Sequence, residues 1–236
     1  MKKMFKIFLI VLAVLGGLSY FAIQKLTYAP SSVAEEAMLA AKIEDDVTLF
    51  AAEDADATSI ILYQGAFVEE AAYAPLAKQL SEAGFNVYLL DTPLNLPVIA
   101  EKRGLEVLEA YQLEQVIFMG HSLGGVIAAR NAASLMTSDT LAGLVFLASY
   151  PDDSVDLSQA NFPILSITAS EDDVINAEAF AAATQLLPQG THYEVIAGGN
   201  HSGFGDYGQQ AKDGQASITA SQQRQAIVEF VTEIFK

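Results

Sequence analysis

One short segment of this chain has the residue types and spacing of a catalytic turn. Residues 120–125 read Gly-His-Ser-Leu-Gly-Gly, between four apolar residues that predict a buried strand and a stretch that predicts a helix. A serine on such a sharp turn exposes its Oγ at the helix N-terminus, where free amides and the helix dipole favour negative charge. Gly120 and Gly124 would supply the lack of bulk that this turn requires. The segment therefore predicts Ser122 as the nucleophile of a serine hydrolase.

A serine nucleophile needs a base that takes its proton, and with this turn the usual chain order is serine, acid, histidine. The chain has three histidines. His121 lies inside the turn, where we expect it to point away from Ser122. His192 opens the last predicted strand, where a structural role is expected. His201 follows that strand in a glycine-rich loop, and catalytic groups collect beyond the C-terminal ends of parallel strands. We therefore predict His201 as the base.

The acid that orients this base is expected between Ser122 and His201, after the strand predicted at 163–169. The residues that follow this strand read Ser-Glu-Asp-Asp, and we choose Asp172 among them. The alternatives are the other acidic residues near it and after the preceding strand: Glu171, Asp173, Asp152 and Asp153.

The oxyanion of an acyl-transfer intermediate needs two amide donors. One is expected from Leu123, the residue after the nucleophile, and the other from the loop that follows the first long strand. In that loop, residues 64–67, we choose the amide of Ala66, with Phe67 as the alternative. Asp206 and Tyr207 are expected to face water rather than substrate.

Composition excludes several classes of function. The chain has 236 residues and is 52% hydrophobic, which suits one α/β domain with a large core. Residues 27–236 hold 8 Lys and Arg against 29 Asp and Glu, which argues against nucleic acid or an anionic lipid surface as a partner. Because there is no cysteine, disulfides, a thiol nucleophile and thiolate metal sites are excluded. No metal site and no cofactor are predicted.

The N-terminus differs from the rest of the chain. Lys2, Lys3 and Lys6 precede an uncharged run of 18 residues at 7–24, long enough to cross most of a bilayer. The basic flank favours an inside N-terminus, with the remainder outside the cytoplasm. Gly17 and Ser19 could serve as a cleavage site, whereas Ala22, with Tyr20 two positions before it, fits poorly. Because the run is also long for a signal peptide, we favour a retained anchor over a secreted protein. The predicted organisation is an anchor or signal peptide at 1–26, a juxtamembrane linker and helix at 27–44, and a catalytic domain at 45–236.

The rest of the chain alternates strands and helices, which predicts a mostly parallel sheet with helices on both faces. Strands are predicted at 47–51, 60–63, 86–91, 116–119, 141–148, 163–169 and 192–196. Helices are predicted at 33–42 with Ser32 as cap, 73–83, 97–111, from the turn to about 136, 176–187 and 220–235. Only residues 150–162 connect two of the parallel strands, which is too short for a lid, so an open and shallow site is expected.

These motifs resemble the α/β-hydrolase superfamily over residues 45–235, and most closely the single-domain, dienelactone-hydrolase-like members also called family 5. The matching segments are 63–66, 120–125, 169–172 and the run from Gly198 to Gly208. Dienelactone hydrolases carry cysteine at the position of Ser122, so the resemblance does not imply lactone specificity. Gln64 and Ala169 also depart from the residues that many members carry there.

The sequence thus predicts a serine hydrolase of carboxylic esters, outside the cytoplasm, with a small-molecule ester as substrate and the membrane as partner through the N-terminal helix. Three alternatives remain open: an acyltransferase with the same residues, a peptidase, and a non-catalytic binding protein on the same scaffold.

Overall fold

The computed structural model of the protein describes residues 25–44 and 47–236. The strands are β1 (Lys42–Glu44), β2 (Val47–Phe50), β3 (Ser59–Tyr63), β4 (Asn86–Leu90), β5 (Val116–His121), β6 (Leu141–Leu147), β7 (Ile164–Ala169) and β8 (His192–Ile196). The α-helices are α1 (Ser32–Met38), α2 (Ala74–Glu82), α3 (Arg103–Ala110), α4 (Leu123–Ser134), α5 (Ala177–Ala183) and α6 (Ala220–Phe235).

The strands form one sheet in the order β1-β2-β4-β3-β5-β6-β7-β8. The strands from β4 to β8 in this order pair in parallel, while β1 and β2 join one edge antiparallel. Because the central strands are buried on both faces, their sequences are mostly continuous apolar runs rather than alternating. The parallel arrangement brings the C-terminal ends of β3, β5, β7 and β8 to one edge of the sheet.

Each face of the sheet carries its own apolar layer. Alternate residues of β3 point to opposite faces, so that Ile60 and Leu62 join one core cluster while Ile61 and Tyr63 join the other. Helices α2 and α6 cover the first cluster, and helices α3 and α4 cover the second. The prediction of a mostly parallel sheet with helices on both faces is confirmed.

The N-terminal part of the described chain departs from the expected linker. The first helix is capped by Ser31, whose Oγ accepts a hydrogen bond from the amide of Ala34, so the expected cap at Ser32 is wrong by one residue. This helix also ends at Met38, which leaves room for β1 to pair with β2. The sheet therefore begins at Lys42, three residues before the expected domain boundary.

Two other predicted helices are broken by short 3₁₀ turns. The helix expected at 97–111 is a 3₁₀ turn at Pro97–Ala100 followed by α3, and the one expected at 176–187 is α5 followed by a 3₁₀ turn at Thr184–Leu186. Among the described residues no helix is long and apolar enough to cross a membrane, and the predicted span at 7–24 lies outside them.

Candidate active site

Ser122 occupies the turn between β5 and α4 in a strained backbone conformation. Its φ of 51° and ψ of −121° lie in a region that residues with a side chain rarely adopt. A Cβ at position 120 would lie 2.3 Å from the carbonyl carbon of Gly124, and one at position 124 would lie 2.4 Å from the carbonyl oxygen of Gln64. Both glycines are therefore required by close backbone approach, as the sequence pattern predicts.

Hydrogen bonds from the neighbouring strand fix this strained turn. The amide of Ser122 donates to the carbonyl of Leu147 at 3.0 Å. The carbonyl of Ser122 accepts from the Ser149 hydroxyl at 2.6 Å and from the Gly125 amide at 3.0 Å. The serine is thus held at both backbone polar groups, which leaves its side chain at the C-terminal edge of the sheet.

His201 and Asp172 meet at the same edge, where the loops after β8 and β7 converge. Nδ1 of His201 lies 2.8 Å from Oδ2 of Asp172, and the two side chains are 3% and 0% exposed. Since a carboxylate only accepts hydrogen bonds, Nδ1 of His201 carries the proton of this contact, and Nε2 of the neutral ring is left free to accept one. His201 lines the same cavities as Ser122, so the structure brings the three predicted side chains together.

The surroundings of Asp172 keep it ionised. Burial alone would raise the pKa of Asp172, but the hydrogen bond and positive charge of His201 and the amides of Ile175 and Val174 outweigh it, so the pKa is lowered. Oδ1 of Asp172 accepts from these two amides at 2.9 and 2.8 Å. Asp172 is therefore ionised at neutral pH and accepts the hydrogen bond of His201 as a carboxylate.

The alternative acids have other partners or lie on the surface. Glu171 is exposed and accepts from the Ser170 hydroxyl at 3.0 Å. Asp152 pairs with Arg130. Burial raises the pKa of this carboxyl, but the Arg130 guanidinium and the hydrogen bonds from Ser154 outweigh burial, so the pKa is lowered. Asp153 is exposed, and the only carboxylate in hydrogen-bond contact with the His201 ring among the described residues is Asp172.

A second carboxylate, which the sequence did not single out, positions the loop of His201. Asp213 is nearly buried and accepts hydrogen bonds from the His201 amide at 3.2 Å and the Ser202 amide at 2.7 Å. It also accepts from the Ser202 hydroxyl at 2.5 Å. Only tertiary structure reveals this role, because Asp213 lies twelve residues from His201 in a loop of polar residues.

The amides expected for the oxyanion differ in their availability. The Phe67 amide donates to the carbonyl of Asn95 at 2.7 Å, so it is not free to bind a ligand. The amide of Ala66 donates to no group in the described part of the chain, and Ala66 lines a cavity with Ser122. Leu123 opens α4, where an amide has no acceptor within its own helix. The geometry therefore favours Ala66 over Phe67.

His121, which the sequence predicts to point away from Ser122, contacts another predicted residue, His201, through its ring. Its ring packs against that of His201, with centroids 4.6 Å apart, and stacks on Phe204. Nδ1 of His121 lies 2.8 Å from the Tyr73 hydroxyl, and this hydroxyl accepts from the Gly65 amide at 2.9 Å. Having accepted that bond, the hydroxyl can donate its proton to Nδ1 of His121. Tyr73 thus links the ring beneath His201 to the residue that precedes Ala66.

Burial keeps this pair neutral. Burial lowers the pKa of His121 well below its ordinary value, and the neighbouring His201 lowers it further. Burial likewise raises the pKa of Tyr73 above its ordinary value. No charge is therefore introduced directly beneath His201, and Nε2 of His121 is buried without a hydrogen-bond partner among the described residues.

Two cavities meet at Ser122 and His201. The first has a volume of about 260 Å³ and a mainly apolar lining that includes Leu123, Val126, Tyr150, Val174 and Ile175. The second has a volume of about 290 Å³, and its lining includes Leu26, Tyr28, Ala66, Phe67 and Val68. The connection at 150–162, where no lid is expected, contains no helix or strand. The wall formed by Leu26 and Tyr28 was not foreseen.

Asp206 and Tyr207 do not face water, contrary to expectation. Asp206 pairs with Arg224 and accepts from the Ser31 hydroxyl at 2.6 Å, while Tyr207 is buried beside Tyr28. His192 is exposed at the start of β8, away from the other predicted residues. No three His, Asp or Glu side chains in the described ranges are placed to hold a metal ion.

Comparison with known proteins agrees with this fold. The profile of the alpha/beta hydrolase family matches residues 59–225, and the chain belongs to this family. A comparison with curated protein sequences found no match. The fold is shared with proteins of low sequence identity.

Three solved structures illustrate this similarity. The alpha/beta hydrolase enzyme MGS-MChE2, from the metagenome of lagoon sediments at Mar Chica, Morocco, is 18% identical with a TM-score of 0.62, over 82% of this chain and 98% of that one. A marine microorganism esterase is 14% identical with a TM-score of 0.59, over 80% and 99%. A membrane phospholipase A, described as a bacterial virulence factor, is 13% identical with a TM-score of 0.60, over 99% of both chains.

Proposed function

We propose that the protein is a serine hydrolase of carboxylic esters, with Ser122 as nucleophile, His201 as base and Asp172 as the acid that orients it. The observation that carries the proposal is the 2.8 Å contact between His201 and Asp172, beside a strained Ser122 that lines the same cavities as His201. A strained, fixed serine that lines the same cavity as a histidine held by a buried carboxylate supports acyl transfer through a serine nucleophile.

In this mechanism Nε2 of His201 takes the proton of Ser122 as Oγ attacks the ester carbonyl. The negative charge that develops on the carbonyl oxygen is stabilised by the amides of Ala66 and Leu123. His201 then gives its proton to the leaving alcohol, and an acyl-enzyme remains on Ser122. Water, deprotonated by His201, attacks the acyl carbon and releases the acid, which restores Ser122 with its proton.

Esters are the favoured substrate class for two reasons. The names of two structural neighbours, an esterase and a phospholipase A, denote ester hydrolysis by those proteins. Both cavities at Ser122 are small and have many apolar lining residues, which suits an acyl group better than a polypeptide.

We also propose that residues 1–26 are a retained membrane anchor and that the domain lies outside the cytoplasm. Lys2, Lys3 and Lys6 before the uncharged run at 7–24 support this orientation. The substrate would then be an ester of the extracytoplasmic space or of the membrane itself.

The first test is labelling of the full-length protein in mild detergent with a fluorescent fluorophosphonate, which phosphonylates an activated serine. Wild type should be labelled, Ser122→Ala should not, and p-nitrophenyl esters from acetate to dodecanoate should be hydrolysed by wild type alone. Ser134→Ala is the matched control and should keep the label, since Ser134 lies at the far end of α4 and its hydroxyl donates to the carbonyl of Asn131 at 2.7 Å. A folded wild-type protein that neither binds the probe nor hydrolyses any ester would refute the proposal.

A further inference from the structure

The chain that follows the predicted anchor is built into the active site. Residues 26–31, here called the strap, run along the loop that holds Ala66. The amide of Tyr28 donates to the carbonyl of Phe67 at 2.7 Å, and the carbonyl of Tyr28 accepts from the Glu69 amide at 3.1 Å. The strap therefore extends the loop of the candidate oxyanion donor by backbone pairing.

The other end of the strap is tied to the loop of His201. The amide of Ser31 donates to the carbonyl of Asp206 at 2.7 Å, and its hydroxyl donates to the carboxylate of the same residue at 2.6 Å. The Tyr28 hydroxyl accepts from the Ala211 amide at 3.1 Å. The strap thus bridges two catalytic loops, and its residues Leu26 and Tyr28 form one wall of the 290 Å³ cavity.

Exposed apolar side chains lie on the strap and on a neighbouring segment, residues 93–100, which is bonded to a loop that lines this cavity. Leu26 lies in the strap. The 93–100 segment is bonded to the loop that the strap pairs with, since the Phe67 amide donates to the Asn95 carbonyl and the Phe67 carbonyl accepts from the Tyr28 amide. The apolar rim, as we call it, consists of four residues with these exposed fractions: Leu26 57%, Leu94 40%, Val98 44% and Ile99 53%. Phe67, Leu94 and Asn95 all have φ between 54° and 59°, so strained backbone supports the rim. Exposed apolar side chains on segments next to a cavity point to an interaction surface.

The sequence places this rim next to the predicted anchor. The uncharged run ends at Gln24, two residues before Leu26. Two residues span no more than about 7 Å even when fully extended, so the wall of the cavity begins within that distance of the end of the run. If the run lies in a bilayer, the mouth of the cavity lies at its surface.

Size and charge define the lipid that suits this surface. A cavity of about 290 Å³ is at the lower limit of ligand pockets, near 300 Å³, so it holds only part of a long acyl chain. The excess of acidic residues after residue 26 opposes an anionic surface, so contact must be apolar and the lipid neutral or zwitterionic.

We propose that the apolar rim rests on the bilayer that holds the anchor, and that the strap-lined cavity receives an ester directly from that bilayer. The substrate is then a long-chain acyl ester whose carbonyl reaches Ser122 while the remainder of its chain stays along the rim. This inference rests on the proposed function, which supplies the chemistry, and adds the source of the substrate.

The test compares two esters with the same leaving group. The full-length protein is reconstituted in dioleoylphosphatidylcholine vesicles and assayed with 4-methylumbelliferyl oleate in the bilayer and with 4-methylumbelliferyl acetate in solution. Leu94→Asp and Ile99→Asp place a charge on the rim, and the left-handed φ of 59° at Leu94 suits aspartate better than leucine. Leu39→Asp is the matched control, since Leu39 is 86% exposed and lies outside the rim.

We expect the ratio of oleate to acetate hydrolysis to fall about tenfold in each rim variant, because burial of a leucine side chain is worth at least that factor. The Leu39→Asp variant should keep the wild-type ratio.

If wild type cleaves acetate but not oleate, or if the rim variants keep the wild-type ratio, the inference is wrong while the esterase proposal stands. If the rim variants instead separate a dimer with no change in the ratio, the rim is a self-association surface and the inference is also wrong. If the wild-type protein hydrolyses neither oleate nor acetate and is not labelled by the fluorophosphonate, both proposals are overturned.

Discussion

Replacement of Tyr73 by phenylalanine tests whether the buried pair beneath His201 serves the site or only the core. The substitution removes one hydroxyl and leaves two buried groups without a partner, the Gly65 amide and Nδ1 of His121. Each buried group left unpaired costs about 1–3 kcal/mol. We therefore expect a loss of about 3 kcal/mol in the free energy of unfolding. For a chain of this size that lowers the melting temperature by about 6–12 °C.

The catalytic consequence follows from the position of Gly65 beside Ala66. With the Gly65 amide released, the amide of Ala66 is less well fixed on the developing oxyanion. Loss of one such donor costs about 10²–10³ in kcat, and partial misplacement should cost about tenfold. Because the ground-state ester gains little from this donor, KM should change less than kcat.

Tyr63 offers a matched control for this measurement. Its side chain is equally buried, and its hydroxyl accepts from the Gly104 amide at 2.7 Å, but it packs in the core cluster on the other face of the sheet. Tyr63→Phe should lower the melting temperature by a similar amount without the loss in kcat. Steady-state hydrolysis of p-nitrophenyl butyrate and thermal unfolding followed by circular dichroism give both quantities. Equal kcat values for the two variants would refute the proposed link between Tyr73 and the oxyanion donor.

Three further predictions concern single side chains. Asp172→Asn should lower kcat by about 10³–10⁴ in ester hydrolysis, since an amide cannot stabilise the imidazolium, whereas Glu171→Gln should stay within about twofold of wild type. Gln64→Met should raise the melting temperature, because both polar atoms of the buried Gln64 amide lack partners among the described residues. An unpaired buried polar group costs about 1–3 kcal/mol. An unchanged or lower melting temperature in thermal unfolding would contradict this. Folded His121 stays neutral while the unfolded chain binds a proton below about pH 6.5, so stability is lost as the pH falls, by up to about 1.4 kcal/mol per pH unit from this group. Urea titrations between pH 6.5 and 5 should show a shallower loss for His121→Gln than for wild type, and equal slopes would refute the assignment.

The sequence predicted the fold well where one strong local signal determined each element. Continuous apolar runs indicated the parallel strands, and β8 and α6 begin and end at the predicted residues. Prediction failed where tertiary contacts override local preference. Strand β1 has only three residues and forms because β2 offers it an edge, and α1 starts at Ser32 because the Ser31 side chain is free to cap it.

The same distinction explains which site residues could be predicted. Ser122 directly follows β5, and Asp172 and His201 lie in the loops after β7 and β8, so chain order and strand ends indicate them. Tyr73 and Asp213 act through hydrogen bonds to backbone amides far from them in sequence, and no local pattern marks such contacts. Leu26 and Tyr28 were assigned to an anchor and a linker, since nothing in their sequence shows that they form a cavity wall.

The glycines around Ser122 show why a short motif carries so much of this information. A Cβ at Gly65 would lie 2.9 Å from Nδ1 of His121 and 3.2 Å from the Tyr73 hydroxyl, although its backbone conformation does not require glycine. A Cβ at Gly125 would lie 2.4 Å from the Ser149 hydroxyl that holds the carbonyl of Ser122. A different neighbour of the same turn therefore leaves no room for a side chain at each of these glycines. The pattern in the sequence reflects how tightly backbone and buried side chains surround one strained serine. A chance Gly-x-Ser-x-Gly segment would also contain the serine, but it would lack this packing.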